Sequence, residues 1–161
     1  MTEEDKKLLL KDLTARLTYN VKAYVKNWSK LDRKYYEGVY TVDSIHPSLN
    51  TVLACSDKFC VEVILGYDDY EIKPYLFPLS SMTDELWDKE FAECGITEFT
   101  RDSFKYGCET LEFNRSNPNL SSMVRFINQL IKNHFDIYGL IERGLAIDAT
   151  NLDIYYDEED F

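Results

Sequence analysis

The sequence predicts an α+β fold: a small, strongly bent antiparallel sheet, or an SH3-like or OB-like barrel, with an N-terminal helix and C-terminal helices packed on it. Three observations lead there. Leu9, Leu13 and Leu17 recur every four residues, with Leu10 beside them, which is the spacing of one helix face. Residues 20–78 then break into short runs rich in β-branched and aromatic residues, separated by turn-forming residues. Residues 120–131 return to a helical period. A chain of 161 residues, 45% apolar and 29% charged, has the composition of one globular domain, and this length buries roughly 70% of its unfolded surface. A single domain over 1–161 is expected, with no internal repeat and no Gly/Ser linker.

The first helix is expected over 1–18. Thr2 suits the cap, Glu3, Glu4 and Asp5 suit the positive end of the helix dipole, and Arg16 suits the other end. In the β region at 20–78, Val21, Ala23 and Val25 alternate with Lys22, Tyr24 and Lys26. YYEGVYTV follows, with Gly38 placed for a bulge or bend, and DSIHPSLN reads as a loop. TVLAC and FCVEVILG are joined through Ser56, Asp57 and Lys58, a hairpin-length connection. A fifth strand in DYEIKPYL is expected to end, or to lie at an edge, at Pro74. The next helix, 84–94, starts at a Thr83 cap with Met82 and Trp87 spaced as a hydrophobic staple, and Gly95 stops it. Residues 96–116 read as irregular or as a further strand. Asn117 and Pro118 then open a helix over 118–134, with Leu120, Met123, Val124, Ile127, Leu130 and Ile131 on one face. A short turn at 138–143 ends at Gly144, and 150–161 begins as a strand and becomes an acidic tail.

The net charge is −11, and it is unevenly spread. Residues 1–34 hold nine basic and five acidic residues, and residues 35–161 hold nine and 24. Such a chain repels phosphate backbone and anionic membrane over most of its surface, leaving room only for a local basic site in the first 34 residues. No direct nucleic-acid or membrane partner is expected. The attracted partner is another protein with a basic surface. The start, MTEEDKKLLL, lacks the pattern of a secretory signal, so Cys55, Cys60, Cys94 and Cys108 are expected as free thiols in a reducing cytosol. Cys60, in FCVEVIL, reads as a half-buried strand thiol. With no C-x-x-C pair and only His46 and His134 as further ligands, no metal site is expected.

Catalytic signatures are weak. His134 and Asp136 could do acid–base work, but they fall at a helix end, where the dipole and last-turn carbonyls give a histidine a structural role. Cys94 sits at a helix C-terminus, which raises a thiol pKa, and Cys108 has no base near it in sequence. The pairs Asp68 and Asp69, Glu109 and Glu112, and the run Asp157 to Asp160 read as solvated charge. The six glycines form no phosphate cradle, so no cofactor is expected. The 12 tyrosines stand out. Tyr35, Tyr36, Tyr40, Tyr67, Tyr70 and Tyr75 cluster in the β region, where they serve as core and rim or form a recognition face.

The stretches TEEDKKLLLKDLTARL, EIKPYLFPLSSMTDE and KNHFDIYGLIERGLAIDAT together resemble a family of small uncharacterised proteins of Bacteroidales and of their phages and mobile elements. The resemblance covers roughly 50 residues and departs most over 88–119. It implies a bacterial cytoplasmic, phage- or mobile-element-associated protein, and carries over no catalytic residue. The leading expectation is a non-enzymatic interaction protein whose partner surface includes Tyr67, Asp68, Asp69, Tyr70, Asp157, Glu158, Glu159 and Asp160. An acidic nucleic-acid mimic that inhibits a host enzyme, and a hydrolase using a carboxylate pair or His134, are the alternatives.

Overall fold

The computed structural model describes residues 1–29, 33–91 and 120–155, and shows an α+β fold with a six-stranded mixed sheet. Its contacts fall into two compact units, Met1–Leu76 with Tyr138–Phe161, and Phe77–Ile137.

The first unit starts with α1 (Glu3–Arg16). A capping box forms at its start: Thr2 Oγ1 accepts from Asp5 N–H at 3.1 Å, and Thr2 N–H donates to the Asp5 carboxylate at 3.2 Å. The Thr2 hydrogen bonds hold the Asp5 carboxyl below its ordinary range. Leu9, Leu10 and Leu13 are buried, and Leu17 packs against the same core, so the leucine stripe does cover a surface. Each buried leucine is worth about 2 kcal/mol. A 3-10 turn at Leu17–Tyr19 and a left-handed Asn20 (φ 54°) redirect the chain into the sheet.

The strands are β1 (Lys22–Ser29), β2 (Lys34–His46), β3 (Thr51–Cys55), β4 (Cys60–Ile64), β5 (Tyr70–Leu76) and β6 (Ile147–Asp148). Their spatial order is β4-β3-β2-β1-β5-β6; all pairs are antiparallel except β5 with β6. One face carries the core: Ala23, Val25, Tyr40, Val42, Val52, Ala54, Val61, Val63 and Ile72 are buried together with the α1 leucines. The sheet is open, with β4 and β6 as its outer members, so it is not the closed barrel among the expectations.

Several local expectations are corrected. β2 runs through Asp43–His46, which reads as loop in the sequence, and the turn is confined to Pro47–Asn50, where Asn50 takes a left-handed φ of 51°. The ladder continues because Ile45 and His46 pair with Val52 and Thr51. The register shift falls between Val42 and Ser44; Gly38 lies in regular ladder opposite Val25. β5 continues past Pro74 to Leu76. Pro74 pairs with Ala23, and β6 joins the other flank only from Tyr75, so Pro74 has no ladder partner there to satisfy. The C-terminal strand is Ile147–Asp148, and the chain at 151–155 is held by a side chain: Tyr155 Oη donates to Tyr75 C=O at 2.8 Å and accepts from Lys22 N–H at 3.2 Å.

Cys55 and Cys60 are not free thiols. They face each other across β3 and β4 with Cα atoms 4.0 Å apart and are joined in a disulfide. Cys60 is exposed rather than half-buried, because the pair lies on the side of the hairpin opposite Ala54 and Val61.

The second unit holds α2 (Asp84–Glu90) and α3 (Leu120–Lys132). Thr83 caps α2 by accepting from Leu86 N–H at 3.2 Å, as the sequence predicts. Met82, Trp87, Phe91, Phe126, Leu130 and Phe135 share one core, with Trp87 and Phe91 stacked at 5.6 Å and Phe91 edge-on to Phe126 at 5.5 Å. Met82 and Trp87 meeting there is the expected staple. Gly95, the 96–116 stretch, Asn117, Pro118, Cys94, Cys108, Glu109 and Glu112 lie outside the described residues.

Candidate functional site

His134 and Asp136 are placed by backbone needs. His134 takes a left-handed φ of 59° just past α3; its N–H donates to Ile131 C=O at 3.1 Å and Phe135 N–H to Leu130 C=O at 2.9 Å. This pair closes the helix as a Schellman motif, a position usually given to glycine. Phe77 N–H then donates to His134 C=O at 2.9 Å, and Asp136 N–H to Phe77 C=O at 2.8 Å. Both side chains are buried. Among the described residues no cluster of three or more His, Cys, Asp or Glu could hold a metal ion.

A set of outward-facing aromatics lies on the side of the sheet opposite the first core. Because side chains alternate, Tyr24, Lys26 and Trp28 of β1 share that side with Tyr35, Glu37 and Val39 of β2 and Glu71 and Lys73 of β5. The register sorts them into rows. Trp28 is opposite Tyr35; Lys26 lies between Glu37 and Glu71; Tyr24 lies between Val39 and Lys73. The Trp28 and Tyr35 rings are 4.9 Å apart and tilted, with Lys26 Nζ 4.6 Å from the Tyr35 ring centre. Tyr35 and Val39, both on β2, are 46% and 44% exposed, a high value for large apolar groups within a sheet. Tyr24 Oη donates to the Glu37 carboxylate at 2.9 Å, and burial, then Glu37, push the Tyr24 phenol up to about 12. Lys73 pairs with Glu71 at 2.8 Å.

The turn before β5 adjoins this surface. Trp28 N–H donates to Asp69 C=O at 3.1 Å, one step beyond the Asn27–Tyr70 pair, and Tyr70 N–H donates to Tyr67 C=O at 3.1 Å. Tyr67 is 64% exposed, and Asp68 and Asp69 are exposed beside it. Of the residues expected at a partner surface, Asp69 is joined to Trp28 through its backbone carbonyl, and Tyr67 and Asp68 are exposed in the same turn. Tyr70 points the other way and packs against the first core. Asp157, Glu158, Glu159 and Asp160 lie outside the described residues. The other β-region tyrosines divide as well: Tyr40 and Tyr75 are buried, and Tyr36 is half-buried, edge-on to Phe59 at 6.0 Å.

Trp28, Tyr24, Glu37 and Glu71 are the members that sequence reasoning missed as a surface. The signal was the β1 alternation, which, carried two residues beyond Lys26, puts Trp28 on the outward side.

No family model matches the chain, and no curated protein or solved structure matches it. No helix among the described residues is long and apolar enough to cross a membrane.

Proposed function

We propose that the chain is a non-enzymatic protein-interaction protein that grips a lysine- or arginine-bearing segment of a partner on the Trp28, Tyr35 and Tyr67 surface. The observation that supports this most is the nearness of exposed rings and carboxylates at one end of the sheet: Tyr35 is exposed opposite Trp28 in the ladder, and Trp28 N–H donates into the turn where Tyr67, Asp68 and Asp69 are exposed. A ring face attracts a cation, and a neighbouring carboxylate fixes its head group. The same chemistry recurs within the chain, where Lys11, Lys26 and Lys34 each sit 4.6 Å from a tyrosine ring centre. A net charge of −11 steers basic partners in and works against nucleic acid, the competing ligand for stacked rings.

The meander β1-β2-β3-β4, with β5 returning beside β1, supports reading this unit as an opened relative of an SH3-like barrel. The working place we propose is the cytoplasm of a bacterial or phage-infected cell, on the strength of the sequence resemblance.

The test compares wild type with Tyr35→Ser/Tyr67→Ser/Asp68→Asn in affinity capture from bacterial lysate at low and physiological salt. A basic protein retained by wild type and lost from the variant is the expected result. Identical retention by both proteins contradicts the assignment.

A further inference from the structure

We infer that Cys55 and Cys60 form a reversible dithiol–disulfide couple that exchanges with low-molecular-weight thiols. The pair joins the end of β3 to the start of β4, the outermost strand of its side of the sheet, and residues 57–60 are all exposed while Cys55 is half-buried. An attacking thiolate therefore reaches the Cys60 sulfur without any opening of the core. The bond is also not what closes the hairpin. Ser56 N–H donates to Phe59 C=O at 2.9 Å, Ser56 Oγ donates to the same carbonyl at 3.1 Å, and the β3–β4 ladder runs on through Thr51 and Ile64. Val61 and Val63 anchor β4 in the core from its opposite face. A cross-link closing so short a loop restrains the unfolded chain less than one over a long loop would, and the native hydrogen bonds and the Val61 and Val63 anchors hold the hairpin without it. Disulfides of this exposed kind are the exchangeable ones, and in a reducing compartment a bonded pair is transient or sensing.

In the reductive direction, a thiolate R′S⁻ attacks Cys60 Sγ, the Cys55–Cys60 bond breaks, and Cys55 Sγ leaves as a thiolate that takes up a proton. A second R′S⁻ attacks the mixed disulfide on its R′ sulfur and releases Cys60 as a thiol. Two R′SH are oxidised to R′S–SR′, and the protein gains two protons and two electrons. The oxidised small disulfide drives the reverse sequence. Phe59, inside the turn, packs edge-on against Tyr36 and Tyr40, a further contact that holds the turn independently of the disulfide.

The experiment equilibrates the full chain with reduced and oxidised glutathione at graded ratios, quenches with acid, alkylates, and maps Cys55 and Cys60 by peptide mass. The bonded fraction should pass from nine-tenths to one-tenth over an about 80-fold change in the ratio of oxidised glutathione to the square of reduced glutathione, as a two-electron couple requires. The far-UV circular dichroism should stay unchanged throughout. Cys55→Ser should trap glutathione on Cys60, and Cys60→Ser should trap it on Cys55 more slowly. A bond that survives excess reduced glutathione until the protein unfolds, unfolding on reduction, or pairing of either residue with Cys94 or Cys108 overturns the inference.

Discussion

Arg16, which the sequence places near the end of a helix where the dipole favours a cation, has no exposed surface. It is held by Asp12, one helical turn earlier: Nε and Nη2 donate to the two carboxylate oxygens, each at 2.8 Å. Asp12 is likewise buried. Removing Asp12 takes two hydrogen bonds and an ion pair from the buried Arg16 guanidinium, so Asp12→Ala should lower the unfolding free energy by about 3 kcal/mol. The double change Asp12→Leu/Arg16→Met should recover most of that, and urea denaturation at neutral pH measures both. Tyr155 contributes a second enclosed polar group. Losing its hydroxyl in Tyr155→Phe strips partners from Tyr75 C=O and Lys22 N–H, at about 1 kcal/mol. Burial also pushes this phenol well above its ordinary range. The folded state therefore holds the proton more tightly than the unfolded chain. The resulting stabilisation is whole below pH about 10 and is lost as the pH rises further. Alkaline titration of stability should show a shallower loss above pH 10 in Tyr155→Phe than in wild type.

Asn20 joins α1 to β1 in a left-handed conformation, and its side chain is exposed. Asn20→Gly should leave stability unchanged or slightly raised, whereas Asn20→Ala should cost about 1 kcal/mol, read as a shift of the denaturation midpoint. Asn20 illustrates what the sequence does and does not disclose. Short-range rules that act within five residues were legible: the Thr2 and Thr83 caps, the leucine stripe of α1, and the placing of Met82 and Trp87 in one core around the α2 start. Rules that depend on a partner strand were not. Asp43–His46 resembles a loop by residue type, yet pairing with β3 makes it strand. Pro74 resembles a terminator, yet its missing N–H falls where no strand lies alongside. The cysteine pair lay between these cases. The hairpin through Ser56, Asp57 and Lys58 was readable, and carrying its register one step outward sets Cys55 opposite Cys60. Burial of Arg16 was the least legible, since an i, i+4 ion pair looks the same in sequence whether it is wet or enclosed.

Over the whole molecule, charge and aromatic content describe one surface. The chain carries −11, yet its outward sheet face interleaves Lys26 and Lys73 with Glu37 and Glu71, so the face itself is close to balanced. Asp68 and Asp69 tip the adjoining turn negative. The sequence grouped Tyr67, Asp68 and Asp69 by their clustering alone, and the Asp69 carbonyl ties their turn to the Trp28 backbone. Binding there should weaken with salt, because its ionic part is solvent-exposed, while the ring contacts persist. The most direct measurement is amide and indole NMR shift mapping while a short arginine- and lysine-rich peptide is titrated into the full chain at low and physiological salt. Shifts should concentrate on Trp28, Tyr35, Glu37 and Tyr67–Asp69, and should shrink in Tyr35→Ser/Tyr67→Ser. Saturable shifts that leave these residues unmoved, or no shifts at low salt, contradict the account.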